Sequence, residues 1–287
     1  MESLADALRK AAAVLAEAGV PSPRTDAELL AAHLLRESVG RVRALALIGA
    51  AAPEGYNELI AERSQRVPLQ HITGVAYFRR LELAVGPGVF IPRPETETVA
   101  QLAIDAARLT QRALVADLGT GSGAIAGSVA QEVPEACVYA VELSDLAHAW
   151  AERNLAPLGV TLVQGDYAEA LAERNGTFDV VASNPPYIPT SAVPREPEVA
   201  EHDPELALYG GSADGLRLPL AAAAAAARLL KPGGYFVMEH AEVQAGTLAR
   251  ILGTHPCWTT VRTHQDLSGR DRSTSAVRTD VPWGTSK

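Results

Sequence analysis

Asn184-Pro185-Pro186-Tyr187 is the most chemically specific run in the chain, and it directly follows the apolar stretch Phe178–Ser183. The Asn184 side-chain oxygen and the Pro185 carbonyl can each accept one hydrogen of a planar NH2 group. A nitrogen held by both hydrogens has its lone pair aimed, and such positioning lowers a displacement barrier without a strong base. Pro186 stiffens the turn and restricts Pro185 to an extended conformation, which fixes the carbonyl. The Tyr187 ring offers a flat surface on which a planar amide or base can stack. These residues point to group transfer onto an amide or exocyclic amine nitrogen. Asn184, Pro185 and Tyr187 are then catalytic, and Asn184, Pro185, Pro186 and Tyr187 bind the acceptor. The competing reading is an ordinary proline turn after a strand.

A second run supplies the other reactant. Ala113–Leu118 leads into Gly119-Thr120-Gly121-Ser122-Gly123 and then Ala124-Ile125-Ala126. Strand, glycine turn and helix in that order let a ligand lie against backbone at the edge of a parallel sheet. A Cβ on the turn would obstruct the ligand or forbid the bend. Val138–Glu142 is a second strand ending in a carboxylate, 23 residues after Gly119, suited to gripping the two hydroxyls of a ribose. Asp166 ends a third strand, where an adenine amino group needs an acceptor, and Tyr167 beside it can pack on the base. Asp117, at the end of the first strand, favours a cationic cofactor over a pyrophosphate. S-Adenosylmethionine, with an ammonium and a sulfonium, is such a cofactor and a methyl donor. Its expected contacts are Gly119, Thr120, Gly121, Ser122, Gly123, Glu142, Asp166, Tyr167 and Asn184; no metal site is expected. Gly119-x-Gly121-x-x-Ala124 also fits a loosened dinucleotide fingerprint, which leaves an NAD-dependent dehydrogenase open.

The elements that must position these residues are legible as apolar patterns. Short apolar runs at 113–118, 137–142, 160–164, 178–183, 234–239, 258–263 and 274–279 alternate with helical stretches. The pattern predicts an α/β fold, a Rossmann-like, mostly parallel sheet with helices on both faces and a terminal hairpin. Ala221–Ala227 reads as a packed helix. Thr96 or Glu95 starts a helix running to about 109. Upstream, Leu4, Leu8, Ala11 and Leu15 repeat at helical spacing, a capping box Thr25-x-x-Glu28 opens a second helix, and 55–66 gives further helical pattern. Strand-like Val75–Phe78 and Leu81–Val85 follow. The expected division is a helical domain over 1–72, a β-hairpin linker over 73–90 and a catalytic domain over 91–287.

The chain has 287 residues and a formal net charge of −9. Residues 1–85 carry ten basic and ten acidic side chains, whereas residues 86–287 carry 15 and 24, so the whole excess lies in the second part. Tight nonspecific binding to a polyanion needs a positive field, which this balance does not supply. Cys137 and Cys257 stand far apart in apolar contexts and are expected to be buried thiols in a reducing compartment. Glu2, Asp6, Arg9, Lys10 and Glu17 interrupt the N-terminal apolar residues, unlike a signal peptide. Leu218–Ala227 is far short of a spanning segment. A cytoplasmic protein is expected.

The sequence resembles the protein-(glutamine-N5) methyltransferases of the HemK type, which modify peptide chain release factors. The resemblance covers nearly the whole chain. It rests on Pro68-Leu69-Gln70-His71-Ile72-Thr73-Gly74, Phe90-Ile91-Pro92-Arg93-Pro94-Glu95-Thr96-Glu97, Asp117–Gly123 and Asn184–Tyr187. Later marks are Leu206-Ala207-Leu208, Gly210-Gly211, Asp214-Gly215-Leu216 and Asp266–Arg272. It implies a class I S-adenosylmethionine fold with a helical substrate-docking domain. It further implies a Gly-Gly-Gln glutamine of a release factor as substrate, and cofactor contacts from Gly119 to Gly123, Glu142 and Tyr167. Two positions depart from the pattern: Glu142 replaces the usual aspartate, and Tyr167 stands where a larger aromatic is frequent.

Other residues have plainer readings. His71 is expected to be a structural histidine linking the domains, and Arg93, between two prolines, to form a structural ion pair. His202-Asp203-Pro204 either shapes the substrate mouth or is a solvated loop. His240 reads as a strand-end residue. A DNA adenine N6-methyltransferase uses the same tetrapeptide logic but needs a basic recognition surface. A non-catalytic S-adenosylmethionine-fold module is the remaining alternative, against which the intact motifs argue. Release factors are the expected partners, with neither membrane nor direct nucleic-acid binding.

Overall fold

A computed structural model describes residues 2–283. The chain forms two compact units: Met1–Val75 with Pro194–His202, and Ala76–Val193 with Asp203–Lys287.

The first unit is helical. α1 (Leu4–Glu17) starts where the Ser3 hydroxyl accepts from the Asp6 amide, and buries Leu4, Ala7, Ala11 and Leu15. α2 spans Pro23–Leu35. The expected capping box is absent: proline, preset for the first helical position, starts the helix after Ser22 and leaves Thr25 inside it. Glu28 is instead buried and accepts from Arg24 Nε (3.2 Å) and Arg43 Nε (3.0 Å). Those guanidiniums, Arg43 first, hold its carboxyl below the usual range. α3 (Val39–Leu47), not foreseen from the sequence, is capped by Ser38, whose hydroxyl accepts from the Arg41 amide. α4 (Tyr56–Ser64) and α5 (Leu69–Thr73) complete the bundle, with half-buried His71 in α5.

Buried Arg63 organises this unit electrostatically. Its Nε donates to Asp26 (2.8 Å), Nη1 to the Val67 carbonyl (3.0 Å) and Nη2 to Glu198 (2.9 Å). Arg66 Nε donates to the same Glu198 (2.8 Å). Thus the distant segment Pro194–His202 folds with the helices through ion pairs that no local pattern announces.

The second unit opens with the hairpin β1 (Val75–Phe78) and β2 (Leu81–Ala84), turned at Arg79 with positive φ. Then come α6 (Thr96–Ala107), β3 (Leu114–Leu118), α7 (Ala124–Glu132), β4 (Cys137–Glu142), α8 (Asp145–Leu155), β5 (Thr161–Gln164) and β6 (Phe178–Ser183). In chain order there follow α9 (Pro197–His202) of the helical unit, α10 (Glu205–Leu208), α11 (Arg217–Leu229), β7 (Leu230–Glu239), α12 (Ala245–Thr254), β8 (Trp258–Gln265) and β9 (Asp271–Arg278). The main sheet has seven strands in the order β5-β4-β3-β6-β7-β9-β8. The first five are parallel, and β9 runs antiparallel to both neighbours.

Period-two alternation divides the sheet between two cores. Val115, Val180, Ala182 and Val237 face α6, α7 and α8, while Ala116, Leu118, Val181, Phe236 and Met238 face α11 and α12. Ala223, Ala225, Ala226 and Ala227 are all buried, so the alanine run is the packed face of α11. Cys257 is buried as expected; Cys137, opening β4 at the sheet's N-terminal edge, is only half-buried. Among the described residues, no helix is long and apolar enough to cross a membrane.

Candidate active site

Strand order reverses on either side of β3, and at such a switch point the loops leaving β3 and β6 part to open a crevice. The register sets what lines it. Leu118 pairs with Val141 and with Ser183, and Ser183 pairs with Met238. The residues next in the chain after these pairs are therefore neighbours: Gly119, Glu142, Asn184 and Glu239.

The glycine turn is braced from below. Gly119 and Thr120 amides both donate to the Val141 carbonyl (2.9 Å each). Gly119, Gly121 and Gly123 have φ of 72°, 58° and 90°, a region that side chains disfavour. A Cβ on Gly119 or Gly121 would meet nothing within 4 Å, so their outer faces are open. At Gly123 it would strike Leu155 of α8, which fixes that glycine by packing instead. Asp117 is buried beneath the turn, where its Oδ2 accepts from Thr120 Oγ1 (2.6 Å) and the Ala126 amide (3.1 Å). Burial pushes its carboxyl up to about 6. Glu142 Oε2 accepts from the Gly121 amide (2.8 Å) and Oε1 from the Ser144 amide (2.9 Å). Its longer side chain thus staples the turn to the β4 end, and burial raises its pKa too.

Two buried carboxylates with raised pKa values, in no salt bridge among the described residues, share one turn with an open face. That donor set fits a cationic adenosyl ligand and would repel a pyrophosphate. Asp166 is also a neighbour, since the Gly165 amide donates to the Glu142 carbonyl (2.9 Å). It is exposed and its Oδ1 accepts from the Ala168 amide (2.8 Å). Tyr167 is half-buried, its hydroxyl donating to the Leu218 carbonyl of α11 (3.2 Å). Burial pushes that phenol up to about 12.

The tetrapeptide is clamped on both flanks. Ser183 Oγ donates to the Leu118 carbonyl (2.7 Å), joining the β6 end to the β3 end. Gln244 Nε2 donates to the Tyr187 carbonyl and to the Asp214 carbonyl (2.9 Å each). The Ile188 amide donates to Leu208 and its carbonyl accepts from Gly210 (2.8 Å each). Gly215, with φ of 72°, lies so close that a Cβ there would collide with the Tyr187 carbonyl. The Gly210-Gly211 and Asp214-Gly215-Leu216 marks of the sequence are therefore the other wall of this loop.

Two residues here escaped the sequence reading. Thr96, taken only as a helix start, donates from Oγ1 to Glu239 Oε2 (2.6 Å) and accepts from Asn184 Nδ2 (3.2 Å). Glu239, buried, also accepts from the Tyr187 hydroxyl at Oε1 (3.1 Å). Burial pushes this carboxyl up to about 7. The only available signal was an acid at the end of an apolar strand, as at Asp117 and Glu142. Arg93 makes its ion pair with buried Asp203 (2.7 Å), and His240 is fully buried against Thr274 Oγ1 (2.8 Å). His202 closes α9 in the helical unit.

Residues 6–74 match the family model described as PrmC N-terminal domain, and residues 81–196 that described as Methyltransferase small domain. A release factor glutamine methyltransferase of Streptomyces coelicolor is 50% identical over 265 residues, 91% of this chain and 93% of that protein. The chain belongs to the release factor glutamine methyltransferase family. Its relative from Bifidobacterium longum, of the same name, is 43% identical over 305 residues, covering 96% of this chain and 99% of that one. A 4-amino-L-phenylalanine/4-methylamino-L-phenylalanine methyltransferase of Streptomyces pristinaespiralis is 39% identical over 265 residues, 89% of each. Membership makes the protein an S-adenosylmethionine-dependent methyltransferase of class I fold. The dehydrogenase alternative falls with it. The antiparallel β9, inserted between β7 and β8, is foreign to the all-parallel dinucleotide sheet.

Proposed function

We propose that this enzyme methylates the side-chain amide nitrogen of the glutamine in the Gly-Gly-Gln motif of peptide chain release factors, in the cytoplasm. The observation that carries the reading is the register, which sets Asn184-Pro185 beside the open glycine turn. The substrate class comes from the relatives' names, with the helical unit as the docking domain for the release factor.

In this reading Gly119 to Gly123 form the floor for S-adenosylmethionine, and Asp117 supplies negative charge from beneath. Glu142 keeps lone pairs free for the ribose hydroxyls while holding the turn. Asp166 receives the adenine amino group, and Tyr167, anchored to α11, offers its ring to the base. The bound cofactor supplies an electrophilic methyl on a cationic sulfur. Asn184 Oδ1 and the Pro185 carbonyl then accept the two hydrogens of the glutamine NH2, and Tyr187 covers the amide plane. An amide nitrogen is a poor nucleophile because its lone pair is delocalised. As it takes the methyl it becomes positive, its hydrogens become stronger donors, and both oxygens bind the transition state more tightly than the ground state. The proton lost from nitrogen leaves to water after transfer.

An arylamine NH2 is planar for the same reason, and one relative bears the name of an arylamine methyltransferase. The experiment therefore offers labelled S-adenosylmethionine with release factors, DNA and 4-aminophenylalanine in parallel. Label on a release-factor glutamine is expected; label only on DNA or only on the arylamine overturns the reading. Within the site, Asn184→Ala is expected to abolish transfer and leave cofactor affinity nearly intact. Loss of cofactor binding instead would mean that Asn184 serves the other ligand.

A further inference from the structure

We propose that Thr96 and Glu239 are positioning residues that fix the hand of the Asn184 amide, so that its oxygen rather than its nitrogen meets the substrate. The inference rests on the reading of Asn184 as an acceptor of substrate hydrogens. An asparagine amide can be turned over with little change of shape, and only its hydrogen bonds decide which end faces where. In the wrong orientation Asn184 would present two donors to a substrate NH2, and the acceptor pair would be broken.

With Glu239 ionised, the chain of bonds permits one orientation. A threonine hydroxyl has a single hydrogen. Thr96 gives that hydrogen to Glu239 Oε2 at 2.6 Å, which leaves Oγ1 only lone pairs for Asn184. Asn184 must therefore turn its Nδ2 to Thr96, as observed at 3.2 Å, and its Oδ1 points elsewhere. Turned over, two acceptor oxygens would face each other in a half-buried site, which costs more than the lost bond.

Glu239 anchors the arrangement because a carboxylate accepts on both oxygens. Its second oxygen takes the Tyr187 hydroxyl at 3.1 Å. One side chain at the end of β7 thereby holds the first and last residues of the tetrapeptide, and Arg272 supplies the nearby positive charge. A bare packing role would need neither the donor order nor the link to both ends.

Three variants test this: Thr96→Val, which keeps shape and removes both bonds; Thr96→Ser, which keeps them; and Glu239→Gln, whose NH2 can donate to Thr96 and release the threonine hydrogen toward Asn184. The chain holds four asparagines, Asn57, Asn154, Asn175 and Asn184, so the Asn184 side-chain amide can be assigned by NMR with labelled asparagine. Thr96→Val and Glu239→Gln are expected to shift that amide resonance and lower kcat about 10- to 100-fold. S-Adenosylmethionine affinity should hold, and Thr96→Ser should recover both signal and rate. If the resonance and kcat of Thr96→Val and Glu239→Gln match the parent while Asn184→Ala is inactive, the positioning role is refuted and the acceptor reading stands. If Asn184→Ala itself retains activity, the acceptor reading fails first. Should Thr96→Val not fold, Glu239→Gln and Thr96→Ser carry the same decision.

Discussion

Gly215→Ala puts the clamped-loop account at risk, because residue 215 touches neither the glycine turn nor the acceptor oxygens. A Cβ at this position would lie 2.9 Å from the Tyr187 carbonyl carbon and closer still to its oxygen, with Gln244 Nε2 also at 2.9 Å. Ordinary contact between such atoms begins near 3.5 Å, so the loop must yield by about 1 Å. The backbone at 215 also has φ of 72°, which costs a non-glycine residue about 1 kcal/mol or more. The stability loss should be modest, a lowering of Tm by roughly 2–8 °C. The catalytic loss should be larger, because a displacement of about 1 Å at a positioning group can cost on the order of 100-fold. The assay compares kcat/KM for methyl transfer with calorimetric affinity for S-adenosylmethionine, expected to change less than about twofold because the glycine turn is a separate structure. A variant that keeps parental kcat/KM would refute the account, since it would show that the Tyr187 backbone need not be fixed. Equal losses in rate and cofactor affinity would also refute it, by showing that one wall serves both ligands.

Cofactor affinity should fall on acidification. Asp117 is pushed up to about 6 and Glu142 is raised as well, and a cationic ligand favours their ionised forms, so binding is strongest above pH 6 and weakens below it; a flat calorimetric profile from pH 5 to 8 would contradict this. Transfer at saturating cofactor should rise with pH through about 7 as Glu239 ionises among Thr96, Tyr187, Arg272 and Glu95, and Glu239→Gln should flatten that limb. In the helical unit, Arg63→Met leaves Asp26 buried without its cation and should cost about 3–5 kcal/mol, read as a lower denaturation midpoint.

What could be read from the sequence and what could not divides along chain distance. The strands 137–142 and 178–183 coincide with β4 and β6 because a buried strand declares itself in its own apolar run. Glu142, the acid at the end of the first, follows from the same local pattern. Asn184 was visible as a motif, but its orientation depends on Thr96 and Glu239, which lie far along the chain and carry no mark of their meeting. Glu28 shows the opposite error. Three residues after a threonine it mimics a capping box, yet proline at the helix start and two arginines decide its place. Asp166 and Tyr167 lie near the β5 end as expected, but their bonds to the local turn and to α11 were not foreseeable from spacing.

The excursion of Pro194–His202 has a consequence for how this protein can be cut and recombined. The polypeptide passes between its two units three times, at 75–76, 193–194 and 202–203. Neither unit is therefore a continuous stretch of gene. A truncation that begins at Ala76 would keep Glu198 and discard Arg63 and Arg66, leaving its carboxylate without either cation. Exchange of helical units between relatives must carry two separate pieces of sequence together, and any single crossover between Arg66 and Glu198 would take the two sides of the pair from different parents.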